Sequence, residues 1–187
     1  MQILDLKIDG AKQIVLAPRH DSRGYFMRTY DVALFEQIGL HRNWVQENQS
    51  CTLRKHTIRG LHFQKKPFTE TKLVRVIAGS LVDVFLDCRP ASPTFGMYEM
   101  IVLSEDKPAY LFLPKGIAHG FCSLTDETIL SYKVDSPYSA EHDSGILWND
   151  PELKIEWPTN EPADISDKDR CLPKFSQQLS VFSSFDF

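Results

Sequence analysis

The chain has no apolar run long enough to cross a bilayer. Its first residues, Met1-Gln2-Ile3-Leu4-Asp5-Leu6-Lys7, lack the basic-then-apolar order of a signal peptide. No membrane partner is expected from this. Cysteine is scarce: the four are Cys51, Cys88, Cys122 and Cys171, and no two form a C-x-x-C pair. That spacing points away from a zinc site or a redox pair, and reduced thiols of a cytoplasmic protein are expected. Positive charge is not in excess. The formal net charge is −4, which argues against a nucleic-acid partner but leaves room for a local basic pocket that binds a small anion. Repeats, low-complexity tracts and flexible linkers are missing, so residues 1–187 read as one domain. What is present is core material. Hydrophobic residues make up 42 % of a chain long enough to bury them.

Strand signals dominate. Leu73–Ile77 and Leu81–Leu86 are rich in β-branched and aromatic residues, and Ala78-Gly79-Ser80 between them reads as a hairpin turn. Tyr98–Leu103 and Tyr110–Leu113 form a second candidate pair, joined by Ser104-Glu105-Asp106-Lys107-Pro108. Gly120–Leu124 and Thr128–Val134 form a third. In Leu81–Asp87, Asp83 and Asp87 alternate with Val82, Val84 and Leu86, so one face is apolar and the other is not. Many short strands at close spacing predict an all-β sandwich, jelly roll or barrel. Asp31 predicts a helix N-cap, with Leu34, Phe35 and Ile38 as its stripe and Gly39 at its end. A second short helix is expected near Ser166–Arg170. The apolar tail Leu179–Phe185 is expected to pack, on a satellite core or on a second copy.

The segment Ile58-Arg59-Gly60-Leu61-His62-Phe63-Gln64 sets a histidine beside a cation and a glycine in an apolar run, and Lys72 opens the next strand. Burying such groups unpaired costs several kcal/mol, so they are paired, face a cleft, or do chemistry. His62 reads either as a general acid or base in a pocket or as a hydrogen-bonded core histidine. Residue by residue, other plain readings stand too: Tyr132 packs in a strand, Lys72 is an edge charge, Lys168-Asp169-Arg170 is a surface cluster, and Tyr138 after Pro137 shapes a turn.

Pro114-Lys115-Gly116-Ile117-Ala118-His119 follows a strand, and this P-x-G-x-x-H pattern resembles the second motif of the cupin superfamily, a jelly-roll barrel. In metal-binding cupins the earlier strand supplies an H-x-H pair and a glutamate. Here it offers His62 and then Gln64, with Glu70 poorly spaced, so no metal site is expected. His119 is instead expected to line the barrel mouth with His62.

A wider pattern follows in order along the chain. It comprises Asp21-Ser22-Arg23-Gly24-Tyr25-Phe26, Gln46-Glu47-Asn48, Arg59–Gln64, Lys72–Val76, Ser92–Gly96, Pro114–Phe121, Trp148-Asn149-Asp150-Pro151 and Ser166–Arg170. Together these segments resemble the dTDP-4-dehydrorhamnose 3,5-epimerase family, from about Asp21 to Arg170. The resemblance implies a cupin-like jelly-roll barrel with a few short helices. It implies a homodimer without metal or cofactor, acting on a nucleotide-linked 4-keto-6-deoxyhexose in deoxysugar or surface-polysaccharide synthesis, the lipopolysaccharide O-antigen included. By the same resemblance His62 is the base, Asp169 its dyad partner, Tyr132 the acid and Lys72 the cation beside the C4 oxygen. Arg23 and Arg59 match diphosphate contacts. Gln46, Asn48, His119, Tyr138, Asp143 and Lys168 match pocket-lining positions.

Two positions depart from the family. Arg28 stands where glutamate is usual, and an arginine donates to a base but cannot accept from one. A CDP-linked substrate, epimerised at C5 or at both centres, is therefore an alternative to the dTDP-linked one. Pairing of Arg28 with a carboxylate such as Glu47 is the plainer reading, and Glu47 is counted with the pocket. Asp143 replaces glutamate with a shorter reach. Two further readings stand beside the epimerase: a metal-dependent cupin enzyme, and a non-catalytic sugar-nucleotide binding module.

Overall fold

The computed structural model describes residues 2–183. One antiparallel sheet contains β1 (Gln2–Asp5), β2 (Lys12–Val15), β5 (Gln46–Thr52), β7 (Lys72–Ala78), β10 (Ala109–Leu113) and β12 (Thr128–Val134). Their spatial order is β1-β2-β10-β7-β12-β5. A second sheet contains β6 (Ile58–Gln64), β8 (Ser80–Asp87), β9 (Tyr98–Ser104), β11 (Ile117–Ser123) and β13 (Asp143–Gly145), in the order β13-β6-β11-β8-β9. A small ribbon, β3 (Arg19–Asp21) with β4 (Gly24–Phe26), belongs to neither sheet. This is the all-β, cupin-like jelly roll expected.

The three expected hairpins are corrected. In each, the first and second strands lie in different sheets, so the turn is a corner and not a hairpin. β7 pairs with β10 and β12, whereas β8 pairs with β9 and β11. β9 and β10 separate in the same way, as do β11 and β12. The turn residues mark where the chain reverses. They do not say which strand it meets next, because that is decided by burial of both faces. Gly79 shows what a corner requires: its φ is +76°, and a Cβ there would lie 2.4 Å from Thr125 Oγ1.

Apolar residues fill three layers. Between the sheets, Val74, Val76, Leu111 and Leu113 meet Leu81, Phe85, Ile117 and Phe121. Behind the second sheet, Val84, Leu86 and Ala118 are covered by Ile146, Trp157, Ile165 and Phe182 from the C-terminal segment. Behind the first, Leu73, Tyr110 and Phe112 are covered by Phe35 and Leu40. Both faces of β8 are therefore buried. Its polar face is no solvent face: Asp83 and Asp87 are both fully buried. Asp87 is satisfied by Arg89, Ser92 and Thr94, whereas Asp83 points into the barrel toward His119.

Helix α1 (Val32–Gln37) starts as expected, with Asp31 accepting from the N–H of Ala33 and of Leu34. Helix α2 (Asp167–Arg170) is capped by Ser166, whose Oγ accepts from the Asp169 N–H at 3.1 Å. After a 3-10 turn at Phe175–Gln178, helix α3 (Leu179–Phe182) seats Phe182 against Phe63, Phe95 and Phe175. The last part of the expected tail, Ser184 and Phe185, lies outside the described residues.

Candidate active site

A cavity of about 610 Å³ lies between the two sheets, with α2 beside it. Two histidines project into it from adjacent strands. His119 of β11 and His62 of β6 are register partners, so their side chains share one face. The strands approach closely here because Gly60 and Gly120 face each other. A Cβ on Gly60 would lie 2.6 Å from the Gly120 Cα, and the ladder shifts register at this point.

Each imidazole has its own carboxylate. His62 Nε2 is 2.6 Å from Asp169 Oδ1, and Asp169 Oδ2 accepts from the Gly60 N–H at 3.1 Å. Burial by itself would raise the Asp169 carboxyl. Hydrogen bonds from His62, Gly60 and Ser166 outweigh it and hold Asp169 below its ordinary value. An ionised Asp169 accepts the Nε2 proton of a neutral His62 and leaves the Nδ1 lone pair free, which is what a base needs. His119 Nε2 is 3.0 Å from Asp83 Oδ2. Here burial dominates, and the attraction of His119 and Lys72 offsets it only in part, so the Asp83 carboxyl is pushed up.

The facing sheet supplies a cation and a phenol. Lys72 Nζ is 3.0 Å from Glu70 Oε1 and donates to the His62 carbonyl oxygen at 3.3 Å. Glu70 Oε2 accepts from Gln64 Nε2 at 2.9 Å, so Lys72 is held in place from behind. Tyr132 on β12 lies across the barrel from His62. Burial, followed by the negative charges of Glu70 and Asp143, pushes its phenol up, so it stays protonated at neutral pH. Gln46 and Asn48 alternate inward along β5, joined by a 2.8 Å hydrogen bond.

At the mouth, Arg59 donates to Thr52 Oγ1 and to the Cys51 carbonyl. Asp143 accepts from Tyr138 Oη at 3.0 Å and pairs with Lys168. Its carboxylate is thus engaged by two neighbours at the rim. Three expected pocket residues lie elsewhere in this chain. Glu47 alternates outward on β5 and bonds Ser131 and Lys133 on the outer face. Arg23 sits on the exposed ribbon and pairs with Asp21 at 2.7 Å. Arg28 pairs at 3.0 Å with Asp31, the α1 cap, and not with Glu47. Strand alternation settles Glu47, and sequence neighbours claim the two arginines.

The cavity does not fit the metal that cupin barrels commonly hold. His62 and His119 each commit Nε2 to a carboxylate, and Glu70 is paired with Lys72. Among the described residues no three His, Cys, Asp or Glu side chains are grouped to hold a metal ion.

Sequence reasoning missed Glu70 and Asp83 as parts of the site. Glu70 was weighed only as a metal ligand, and nothing in its spacing reveals that it anchors Lys72. Asp83 did leave a trace, as a carboxylate within an apolar strand run.

Fold and cavity define a class: a cupin-type jelly roll that carries acid–base groups where a metal centre would otherwise stand. A sequence model of the dTDP-4-dehydrorhamnose 3,5-epimerase family matches residues 5–177, and the chain belongs to that family of isomerases. A relative from Methanothermobacter thermautotrophicus bearing the family's name is 44 % identical over 174 residues, covering 90 % of this chain and 91 % of its own. The Bacillus anthracis epimerase, solved with TDP and PPi bound, superimposes with a TM-score of 0.90 at 46 % identity, covering 92 % of this chain and 98 % of its own. The Legionella pneumophila epimerase, solved with dTDP-4-keto-L-rhamnose, gives a TM-score of 0.88 at 35 % identity, with 94 % and 93 % covered.

Proposed function

We propose that the chain converts dTDP-4-dehydro-6-deoxy-D-glucose to dTDP-4-dehydro-L-rhamnose by inverting C3 and C5. The observation that carries this is the pair of His62 on one sheet with Asp169 of α2 behind it, and Lys72 and Tyr132 facing it from the other sheet. The C4 ketone acidifies the hydrogens on C3 and C5. His62 Nδ1 takes one of these protons, and the C–H electron pair moves into the ring as an enolate with charge on O4. Asp169 holds Nε2 and steadies the imidazolium that forms. Lys72 faces the developing charge on O4, and such a preorganised donor is worth about 3–4 kcal/mol of barrier. Tyr132 delivers a proton to the opposite face of the ring, and the centre is inverted. Exchange with solvent restores both groups.

Arg59 at the mouth suits the diphosphate. Gln46, Asn48 and His119 line the space for the sugar, and Tyr138, Asp143 and Lys168 line its rim. A homodimer, which the family resemblance implies, would give Arg23 and Arg28 a place. The β3–β4 ribbon offers Tyr25 at 66 % and Phe26 at 69 % exposure, an apolar arm suited to a second copy. The CDP alternative rested on Arg28, which is engaged by Asp31, so dTDP is the nucleotide proposed. The setting proposed is one domain spanning the chain, working in the cytoplasm in deoxysugar synthesis. Among the described residues no helix is long and apolar enough to cross a membrane.

Proton NMR in D₂O, with dTDP- and CDP-4-keto-6-deoxyglucose in parallel, tests the proposal. Deuterium entering both C3 and C5 of the dTDP sugar is expected. Exchange at one centre would reduce the reading to a single-centre epimerase, and faster CDP turnover would reassign the nucleotide. No exchange with either would leave a binding module.

A further inference from the structure

The second imidazole–carboxylate pair, His119–Asp83, has no role in the proton transfers above, yet it lies beside the first. His119 and His62 are register partners, and Lys72, which donates to the His62 carbonyl, acts electrostatically on Asp83. His119 lines the cavity with Nε2 turned back toward Asp83, so Nδ1 is the nitrogen left for a ligand.

The two carboxylates are partnered differently. Asp169 has both oxygens bonded, one to His62 and one to the Gly60 N–H. Asp83 is fully buried and only Oδ2 is bonded. Its Oδ1 is the one buried side-chain polar atom without a partner among the described residues. Leaving an ionised oxygen buried and unpaired is expensive, whereas a neutral carboxyl that donates its proton to His119 leaves only a carbonyl oxygen unpaired.

We propose that Asp83 is a positioning residue that keeps a proton on His119 Nδ1, so that His119 donates a hydrogen bond to the substrate ketone oxygen beside Lys72. The pair shares one proton beyond the ring's own. If that proton stays on Asp83 Oδ2, it is donated to Nε2, and the ring proton sits on Nδ1. If it moves to Nε2, the imidazolium still carries N–H at Nδ1. In both arrangements Nδ1 donates and the pair is neutral overall. The upward push that burial gives Asp83 favours keeping that proton. His62 is the opposite case, with a proton on Nε2 and a lone pair on Nδ1. Environments that drive two similar groups apart assign one as base and the other as donor. The identity of the acceptor oxygen rests on the epimerase reading, whereas the placement of the proton does not.

One substitution separates the pairs. In Asp169→Asn the Gly60 N–H keeps the amide oxygen, so the amide nitrogen faces His62 Nε2. That forces the proton to Nδ1 and removes the base. In Asp83→Asn, an amide nitrogen turned to His119 Nε2 donates as the neutral carboxyl does and preserves the Nδ1 proton. Turnover should fall about 10³-fold in Asp169→Asn but by no more than about tenfold in Asp83→Asn. Asp83→Leu should fall about 10²-fold in kcat, with KM within about threefold. Equal losses in Asp83→Asn and Asp83→Leu would overturn the proposal. Long-range proton–nitrogen NMR of the ¹⁵N-labelled, substrate-free parent at neutral pH reads the tautomers directly, with His62→Asn and His119→Asn assigning the signals. A protonated His119 Nδ1 beside a bare His62 Nδ1 supports the proposal, and a bare His119 Nδ1 sinks it. This reading needs neither turnover nor a folded leucine variant. If the parent turns over no sugar nucleotide, the epimerase reading fails while the tautomer result still decides where the proton sits.

Discussion

His62–Asp169 and His119–Asp83 are built from the same two kinds of side chain, with the imidazoles on neighbouring strands, at hydrogen-bond distances of 2.6 and 3.0 Å. What separates them is the far oxygen of each carboxylate. The backbone N–H of Gly60 reaches Asp169 Oδ2, and no donor among the described residues reaches Asp83 Oδ1. One extra donor keeps a buried carboxylate ionised, and its absence favours the neutral acid. The chemistry open to an imidazole is thus set behind it, at the atom it does not touch.

Removing the imidazoles should break the comparison most strongly. His62→Ala is expected to abolish exchange at both C3 and C5, a loss at the upper end of the roughly 10²–10⁴-fold range for a general base. His119→Ala is expected to lose about 10²-fold, the size of one oxyanion donor. Deuterium wash-in by NMR measures both, and equal losses would erase the distinction between base and donor.

Tyr132→Phe sharpens the comparison, because neither histidine is assigned the second proton. Inversion at C5 should fall about 10²-fold while loss of the C5 proton to solvent falls much less. If inversion and proton loss kept the parent's ratio in the variant, Tyr132 would not be the acid.

The smallest effect is on stability. Asp169 is held below its ordinary value, so its contribution is present above the unfolded value and lost as pH falls through the folded one. Asp83 runs the other way: its contribution is full below the unfolded value and lost as pH rises through the folded one. Above about pH 4, Asp169→Asn should therefore melt below the parent, while Asp83→Asn gains on the parent as pH climbs. Shifts on the order of 3 °C are expected in a chain of this size, read by circular dichroism at pH 3, 5 and 7. Parallel curves for the two variants would mean that the carboxylates sit in equivalent environments.

Much of this site was legible in the linear chain. His62 and Lys72 stood out as polar groups in apolar runs, Tyr132 and Asp169 were assigned by the family resemblance, and the structure gathers all four around one cavity. For Asp169 the structure supplies the local reason for its placement: the Ser166 cap starts the helix that carries it. Glu47, Arg23 and Arg28 lie outside this chain's cavity for equally local reasons. Alternation along β5 turns Glu47 outward while Gln46 and Asn48 turn inward, and Asp21 and Asp31 lie within three residues of the arginines they hold. Glu70 left no signal, because its role as the anchor of Lys72 exists only once Gln64 of the other sheet is brought beside it.

The sequence by itself determined the all-β character, the approximate place of the central strands and of α1 and α2, and the apolar alternation along them. Those depend on alternation, capping and turn residues, all of which act over a few positions. Only the tertiary structure decided that the three turns are corners between sheets, that the polar face of β8 points into the barrel, and that two histidines 57 residues apart in the numbering share one face. The reason is burial. With a covering layer behind part of each sheet, central strands such as β8 hide both faces, and that demand is met by partners far along the chain. It also leaves Asp83 Oδ1 without a donor among the described residues, and so makes one dyad unlike its neighbour.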